Sequence, residues 1–290
     1  MEKSNYIKKK VTLNHTISIL ILSLLAISFL FPFIWLISSS LKEGQAIFKA
    51  EFSLIPRDVY GKVKVVFSNY KNAVQYLSLG VLFKNTLFVA VLNTILNLLF
   101  NSMAGYAFAR LNFKGKEIIF RIILISMMIP GTVMLIPNLI TVNRLGIYDT
   151  IWALVLPFTM SVYNIFLMRQ HFSSFSKDLE EAAKIDGAGY FRIFFTIAIP
   201  LVRPMLVVLG ITTFMWNYNN FLWPLVATQS PENATLALGL GSLVAAGSSN
   251  PEIYPVMLAG SVIVSLPLII MFFFLQKYII GGISVGAVKG

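Results

Sequence analysis

With 290 residues, 57% of them hydrophobic and only 12% charged, and a mean hydropathy of +0.78, the chain has too little polar surface to cover a water-soluble core. Its 23 Lys and Arg against 12 Asp and Glu would suggest a nucleic-acid partner in a soluble protein, but here the basic residues lie between long apolar runs, as in a membrane protein. The absence of cysteine excludes disulfides and thiolate chemistry, and His15 and His171 stand too far apart to form a ligating motif, so neither a metal site nor a catalytic set is expected.

About 20 mostly apolar residues are needed for a helix to cross the hydrocarbon layer. Six stretches qualify, at about 16–38, 86–109, 118–141, 150–172, 201–227 and 254–275. The first follows Lys8, Lys9 and Lys10, yet its apolar run is too long for a signal peptide, so a retained span is expected. Pro32, Pro130, Pro137, Pro157, Pro224 and Pro267 fall inside these stretches and predict kinks whose freed carbonyls neighbouring helices must satisfy. If the N-terminus is inside, the inner segments hold 15 basic residues and the outer ones 8, and seven of those eight sit in one long outer loop where charge has less influence. The expectation is an all-α integral membrane protein with six transmembrane helices and both termini cytoplasmic. Residues 1–15 and 278–290 would be tails around a membrane domain at 16–277. No GxxxxGK[ST] phosphate loop occurs, so any ATP hydrolysis belongs to another chain.

The inner segment 173–200 carries the strongest pattern. Asp178 is placed to cap a short helix, with Glu181 three residues on in capping-box spacing. Ala182 and Ala183 give a small, helix-favouring face, and Gly187 and Gly189 stop the helix and turn the chain. A second short helix from Tyr190 to about Ile197 leads to Pro200. From these residues alone, an amphipathic connector lying on the membrane surface fits as well as a helix–turn–helix built for a partner.

Glu181-Ala182-Ala183, three residues, Gly187, nine residues and Ile197-Ala198-Ile199-Pro200 resemble the EAA motif of ABC-importer permeases, with Ile199 where the pattern has Leu. The longer Glu-Ala-Ala-Lys-Ile-Asp-Gly-Ala form is similar to the carbohydrate branch, the maltose-transporter type. Further likenesses are Ser38–Lys42, Ala104–Arg110, Leu145–Thr150 and Gly286–Gly290. The resemblance implies the smaller six-helix subunit of a type I importer, a bacterial or archaeal inner-membrane protein that is not itself an enzyme. Implied partners are a second homologous permease, two ATPase subunits that bind ATP and Mg, and an extracellular sugar-binding protein, all in membrane lipid and without nucleic acid. The chain itself would bind no cofactor. The resemblance further implies that Glu180, Glu181, Ala182, Ala183, Asp186 and Gly187 form the ATPase-coupling helix, with Glu180 and Glu181 both candidates for the contacting acid. It also implies that Val288, Lys289 and Gly290 reach between the ATPase subunits; a frayed terminus is the other reading of that tail.

Polar residues within spans are costly and mark candidate pathways. Asn93, Asn97 and Asn101 recur every four residues, forming one stripe along a helix. Trp216, Asn217, Tyr218 and Asn220 set aromatic faces beside amides, the pairing that suits a sugar's C–H faces and hydroxyls. The stripe also reads as interhelical glue, and the aromatic group as an interfacial belt. The outer segments at about 42–85 and 228–253 are candidates for docking the binding protein, and packing against the partner permease fits the first as well. The nearest rival reading is the permease of an ABC importer for a non-sugar solute, since such permeases carry the same loop, and a secondary transporter is a more distant one. It would show intramembrane acids, and none of the six stretches contains Asp or Glu.

Overall fold

The computed structural model describes the backbone of residues 2–48 and 52–287, and side chains over 15–48, 52–247 and 250–276. Among these residues the regular structure is helical, with one isolated antiparallel bridge between Arg57 and Val63. The chain divides into two compact units. One holds the residues up to Tyr76 together with Ser242–Ser265, and the other holds Leu77–Gly241 together with the chain from Leu266.

In the first unit, α1 runs Glu2–Ser40 through Pro32 without a break. The residues expected as an N-terminal tail therefore continue the first helix. From His15 to Ile34 every residue is exposed, a predominantly apolar rod that suits lipid as solvent. Its C-terminal carbonyls, which lack intrahelical partners, are met from the loop that follows. Asn69 Nδ2 donates to the Ser40 carbonyl at 2.9 Å and to that of Lys42 at 2.8 Å, and the Ser40 and Tyr70 hydroxyls lie 2.7 Å apart. The loop itself carries α2 (Gly44–Ile47) and α3 (Ser68–Tyr76), and Ala73 of α3 packs with Val256 and Ala259.

The second unit is built on α4 (Leu79–Arg110), apolar overall but with Asn93, Asn97, Asn101 and Ser102 buried along it. The third apolar stretch is not one continuous helix: α5 (Lys116–Ser126) and α6 (Leu135–Arg144) are separated by turns around Pro130 and Gly131. Pro130 cannot donate to the ladder and Gly131 lowers helix propensity beside it, so the break falls where both coincide. The fourth stretch is bent by 42°, as α7 (Ile151–Val155) passes through a 3₁₀ turn at Leu156–Phe158 into α8 (Val162–Ser173).

Beyond α8 come α9 (Asp178–Ile185), α10 (Tyr190–Ile193), a π-helical turn at Phe194–Ala198 and α11 (Ile199–Leu201). The chain then turns by 81° into α12 (Arg203–Tyr218), with Pro204 in its first turn, and α13 follows over Leu222–Ala227. The remaining helices are α14 (Leu236–Ser249) and α15 (Tyr254–Ala287). Among the described residues, three helices are long and apolar enough to cross a membrane, or up to five if each bent pair counts as one span.

Candidate functional site

Two regions of the second unit hold the residues singled out by the sequence. The first begins at the break in the fourth stretch. Pro157 has no N–H, so the carbonyl four residues earlier, Ala153, loses its helical partner. Trp223 Nε1 on α13 donates to that carbonyl at 2.9 Å. The Asn stripe of α4 meets the following groups: Asn93 Nδ2 donates to the Val155 carbonyl at 2.8 Å and Asn97 Nδ2 to that of Phe158 at 3.1 Å. Asn101 Oδ1 accepts from the Ser161 backbone N–H at 2.9 Å. A four-residue period on one helix thus stitches a broken helix beside it, which is why these amides are buried without penalty.

Of these amides, Asn93 and Asn97 also line a cleft of about 340 Å³ between α4, α8 and α12. Asn164 Nδ2 donates to Asn97 Oδ1 at 2.7 Å and to Thr213 Oγ1 at 3.3 Å, and Asn217 Nδ2 donates to Asn93 Oδ1 at 3.1 Å. Phe158 and Trp216 meet edge to face with centroids 4.9 Å apart and form an aromatic wall. The cleft therefore offers amide and hydroxyl groups on one side and aromatic faces on the other, with no charged side chain in its lining.

Of the residues expected along a pathway, Asn93, Asn97, Trp216 and Asn217 come together here, while Tyr218 and Asn220 do not line the cleft. Tyr218 is buried and stacks on Phe214 at 5.9 Å. Asn220 Oδ1 accepts from the Trp223 backbone N–H at 3.3 Å at the start of α13. Both follow from helical geometry, since α12 ends at Tyr218 and the chain leaves its cleft-facing side. Asn164, Ser161 and Thr213 join the lining without having been singled out. Their signal was a polar residue on each of two further apolar helices, too common a feature to pick out before the helices are packed.

The second region is α9. Its C-terminus closes in a Schellman motif: the Ala188 N–H donates to the Ala183 carbonyl at 2.9 Å, the Gly187 N–H to that of Lys184 at 3.0 Å, and Gly187 adopts φ 80°. Its N-terminus differs from the expected capping box. Asp178 is the first helical residue rather than the cap, its N–H donates to Ser176 Oγ at 3.2 Å, and the N–H groups of Glu180 and Glu181 both donate to the Lys177 carbonyl. Ser176 wins because its hydroxyl reaches an N–H two residues on in a compact turn. Glu181, Ala182, Asp186 and Gly187 are exposed, Ala183 is half-buried against the core around Tyr106 and Phe194, and Glu180 is buried beside Arg110. Val288, Lys289 and Gly290 lie outside the described residues.

Outside the apolar stretches, Asp149 organises the connection between α6 and α7. It adopts φ 54°, a left-handed conformation that Asp tolerates better than most residues, and accepts from the backbone N–H groups of Gln229 (2.8 Å) and Ser230 (3.0 Å) and from the Ser230 hydroxyl. Asn233 Nδ2 donates to its carbonyl at 2.6 Å. These donors, led by the Ser230 hydroxyl, hold its carboxyl down to about 2.

Helices broken at prolines, restitched by neighbouring amides and enclosing a polar cleft define a membrane-embedded transport permease. Residues 101–285 match the family described as binding-protein-dependent transport system inner membrane component, and the chain belongs to that family. It is 38% identical over 272 residues, 92% of this chain and 93% of the relative, to the arabinooligosaccharides transport system permease protein AraQ of Bacillus subtilis (strain 168). The lactose transport system permease protein LacG of Rhizobium radiobacter is 32% identical over 93% of this chain and 94% of its own. Among solved structures, a bacterial ABC transporter involved in the import of the acidic polysaccharide alginate has a chain that superposes with a TM-score of 0.78 at 25% identity, covering 91% of this chain and 95% of that one. The chain is thus an ABC transporter permease, an inner membrane component of a binding-protein-dependent transport system.

Proposed function

We propose that this permease is one of two homologous membrane subunits of an ATP-driven oligosaccharide importer, and that it contributes half of the translocation pore. Six spans are assigned by pairing α5 with α6 and α12 with α13, with both termini cytoplasmic and tails at 1–15 and 278–290. Two partner subunits hold ATP and Mg, and an extracellular binding protein delivers the sugar; relatives named for arabinooligosaccharides and lactose support that substrate class. A further relative in structure, at 15% identity, shares the fold.

The observation that carries the coupling role is α9. It is an eight-residue helix that keeps Glu181 and Ala182 exposed while its other side is fastened to the second unit's core. A short helix held rigidly on one side and open on the other transmits a push rather than absorbing it. Motion of an ATPase cleft around Glu181, Ala182, Ala183, Asp186 and Gly187 would then reach α4 and α8 directly. Such coupling requires ATP to favour one pore state over the other by several kcal/mol. The uncharged cleft at Asn93, Asn97, Trp216 and Asn217 suits a neutral, hydroxyl-rich solute, because amides match hydroxyls and Trp216 covers C–H faces. Tyr218, stacked on Phe214, and Asn220, bonded to the Trp223 backbone, stay outside this cleft, and Val288–Gly290 are assigned to the ATPase interface.

The test is co-purification followed by transport. The tagged chain should bring down a second permease, an ATPase pair and a sugar-binding protein, and the reconstituted assembly should take up labelled oligosaccharide only with ATP. Trp216→Ala should reduce uptake by about tenfold, the loss of an aromatic contact worth on the order of 1.4 kcal/mol. Uptake driven by an ion gradient without ATP would overturn the proposal.

A further inference from the structure

Arg110 is the last residue of α4, and its side chain and that of Glu180 are almost wholly buried. Nε stands 3.2 Å from Glu180 Oε1, while Nη2 donates to the Phe175 carbonyl at 2.8 Å. Phe175 belongs to the link between α8 and α9, and Glu180 to the first turn of α9. One guanidinium therefore grips both the segment entering α9 and the helix itself. Tyr106, one turn earlier on α4, is buried beside the same carboxylate. Glu181, the adjacent acid, is exposed and enters no ion pair among the described residues.

We infer that Arg110 is a positioning residue that locks α9 onto the end of α4, and that Glu180 serves this internal lock while Glu181 is the acid presented to the ATPase. The inference rests on the reading of α9 as the coupling helix. The physical argument has three parts. A buried guanidinium keeps its charge, so it gives the carboxyl group beside it a permanent partner. Its planar head donates through Nη2 to the Phe175 carbonyl while its charge stands beside the Glu180 carboxyl group, a placement that a lysine ammonium on a flexible stem does not reproduce with the same fixed geometry. The link at 174–177 is a turn with exposed residues on its surface, and without a tie it would hinge when α9 is pushed. With the tie, displacement of α9 becomes displacement of α4, the helix that lines the cleft with Asn93 and Asn97.

The experiment uses the full importer in proteoliposomes with its binding protein, and reads two quantities: ATPase retained on the purified permease, and sugar transported per ATP hydrolysed. Arg110→Lys and the paired Arg110→Met/Glu180→Met replacement should insert and retain ATPase at wild-type levels. The methionine pair leaves no uncompensated buried charge, which keeps the test readable if single variants fail to fold. In both, sugar moved per ATP should fall by about tenfold. Glu181→Gln should instead lower the ATPase retained. Wild-type stoichiometry in the methionine pair would overturn the inference, because packing alone would then suffice. Loss of ATPase in Glu180→Gln but not in Glu181→Gln would overturn the division between the two acids. If ATPase retention depends on neither acid, nor on Ala182 or Ala183, the coupling-helix reading itself fails and the inference falls with it.

Discussion

Gly105→Ala is expected to destabilise the permease through the contact between α4 and α8. A Cβ at this position would lie 2.5 Å from Met168 Cβ, 3.0 Å from the Arg169 nitrogen and 3.1 Å from the Met168 carbonyl carbon. Carbon atoms pack comfortably at about 3.5–4.0 Å, so the two helices would have to part by about 1 Å. The obstructing atoms are backbone and Cβ rather than the tip of a flexible side chain, so no rotamer change relieves the clash. Overpacking of this kind costs about 1–3 kcal/mol, and the upper half of that range is expected here. Close approach through a small residue is also how membrane helices gain packing energy, so the loss is not offset by burying one more methyl. The same parting would stretch the 2.7 Å bond from Asn164 to Asn97 nearby. The assay is a thermal melt of purified protein in mild detergent, with Gly80→Ala as the control. Gly80 lies in the first turn of the same helix with nothing within 4 Å of its virtual Cβ. Alanine there should be neutral or stabilising by up to about 1 kcal/mol. Gly105→Ala should melt on the order of 5 °C lower than wild type. Equal melting temperatures for the two variants would refute the close-approach argument.

Trp223→Phe should keep the aromatic packing against Phe158 but leave the Ala153 carbonyl unpaired, at a cost of about 1–3 kcal/mol in the same melt. Gly187→Ala should strain the left-handed residue that closes α9, costing about 1–2 kcal/mol and loosening protection of the Ala188 amide in hydrogen exchange. Asp149 has its carboxyl pulled from the ordinary 3.8 to about 2, so its hold on 229–233 is complete above about pH 4 and is lost as pH falls through about 2. Exchange of the Gln229 and Ser230 amides should accelerate in Asp149→Asn at neutral pH, and wild-type protection that persisted unchanged below pH 2 would contradict the assignment.

How much of this was legible beforehand differs from element to element. The apolar stretches behind α1, α4 and α15 were readable because crossing lipid demands an uninterrupted run, and composition alone reveals one. The turn after α9 was equally readable, since a left-handed residue at a helix end favours Gly187 and no distant contact is required. The break between α5 and α6 was only half legible: Pro130 predicted a kink, but whether a proline bends a helix or divides it depends on the neighbours available to satisfy the freed carbonyls. The Asp178 cap was misread because Ser176 and Asp178 both carry oxygens suited to that terminus, and local spacing does not rank them.

The amide stripe on α4 was visible as a four-residue period, but its partners, the carbonyls of Val155 and Phe158, lie some sixty positions away and become neighbours only when α4 and α8 pack. The same holds for Arg110, whose partners Phe175 and Glu180 lie beyond four intervening helices, α5 to α8. Sequence by itself therefore determined membrane residence, the helical class and the turn that ends α9, because each depends on local composition and spacing. Tertiary structure alone decided which polar groups share the cleft and which of the two adjacent acids is buried, because those depend on distance between helices that no local pattern encodes.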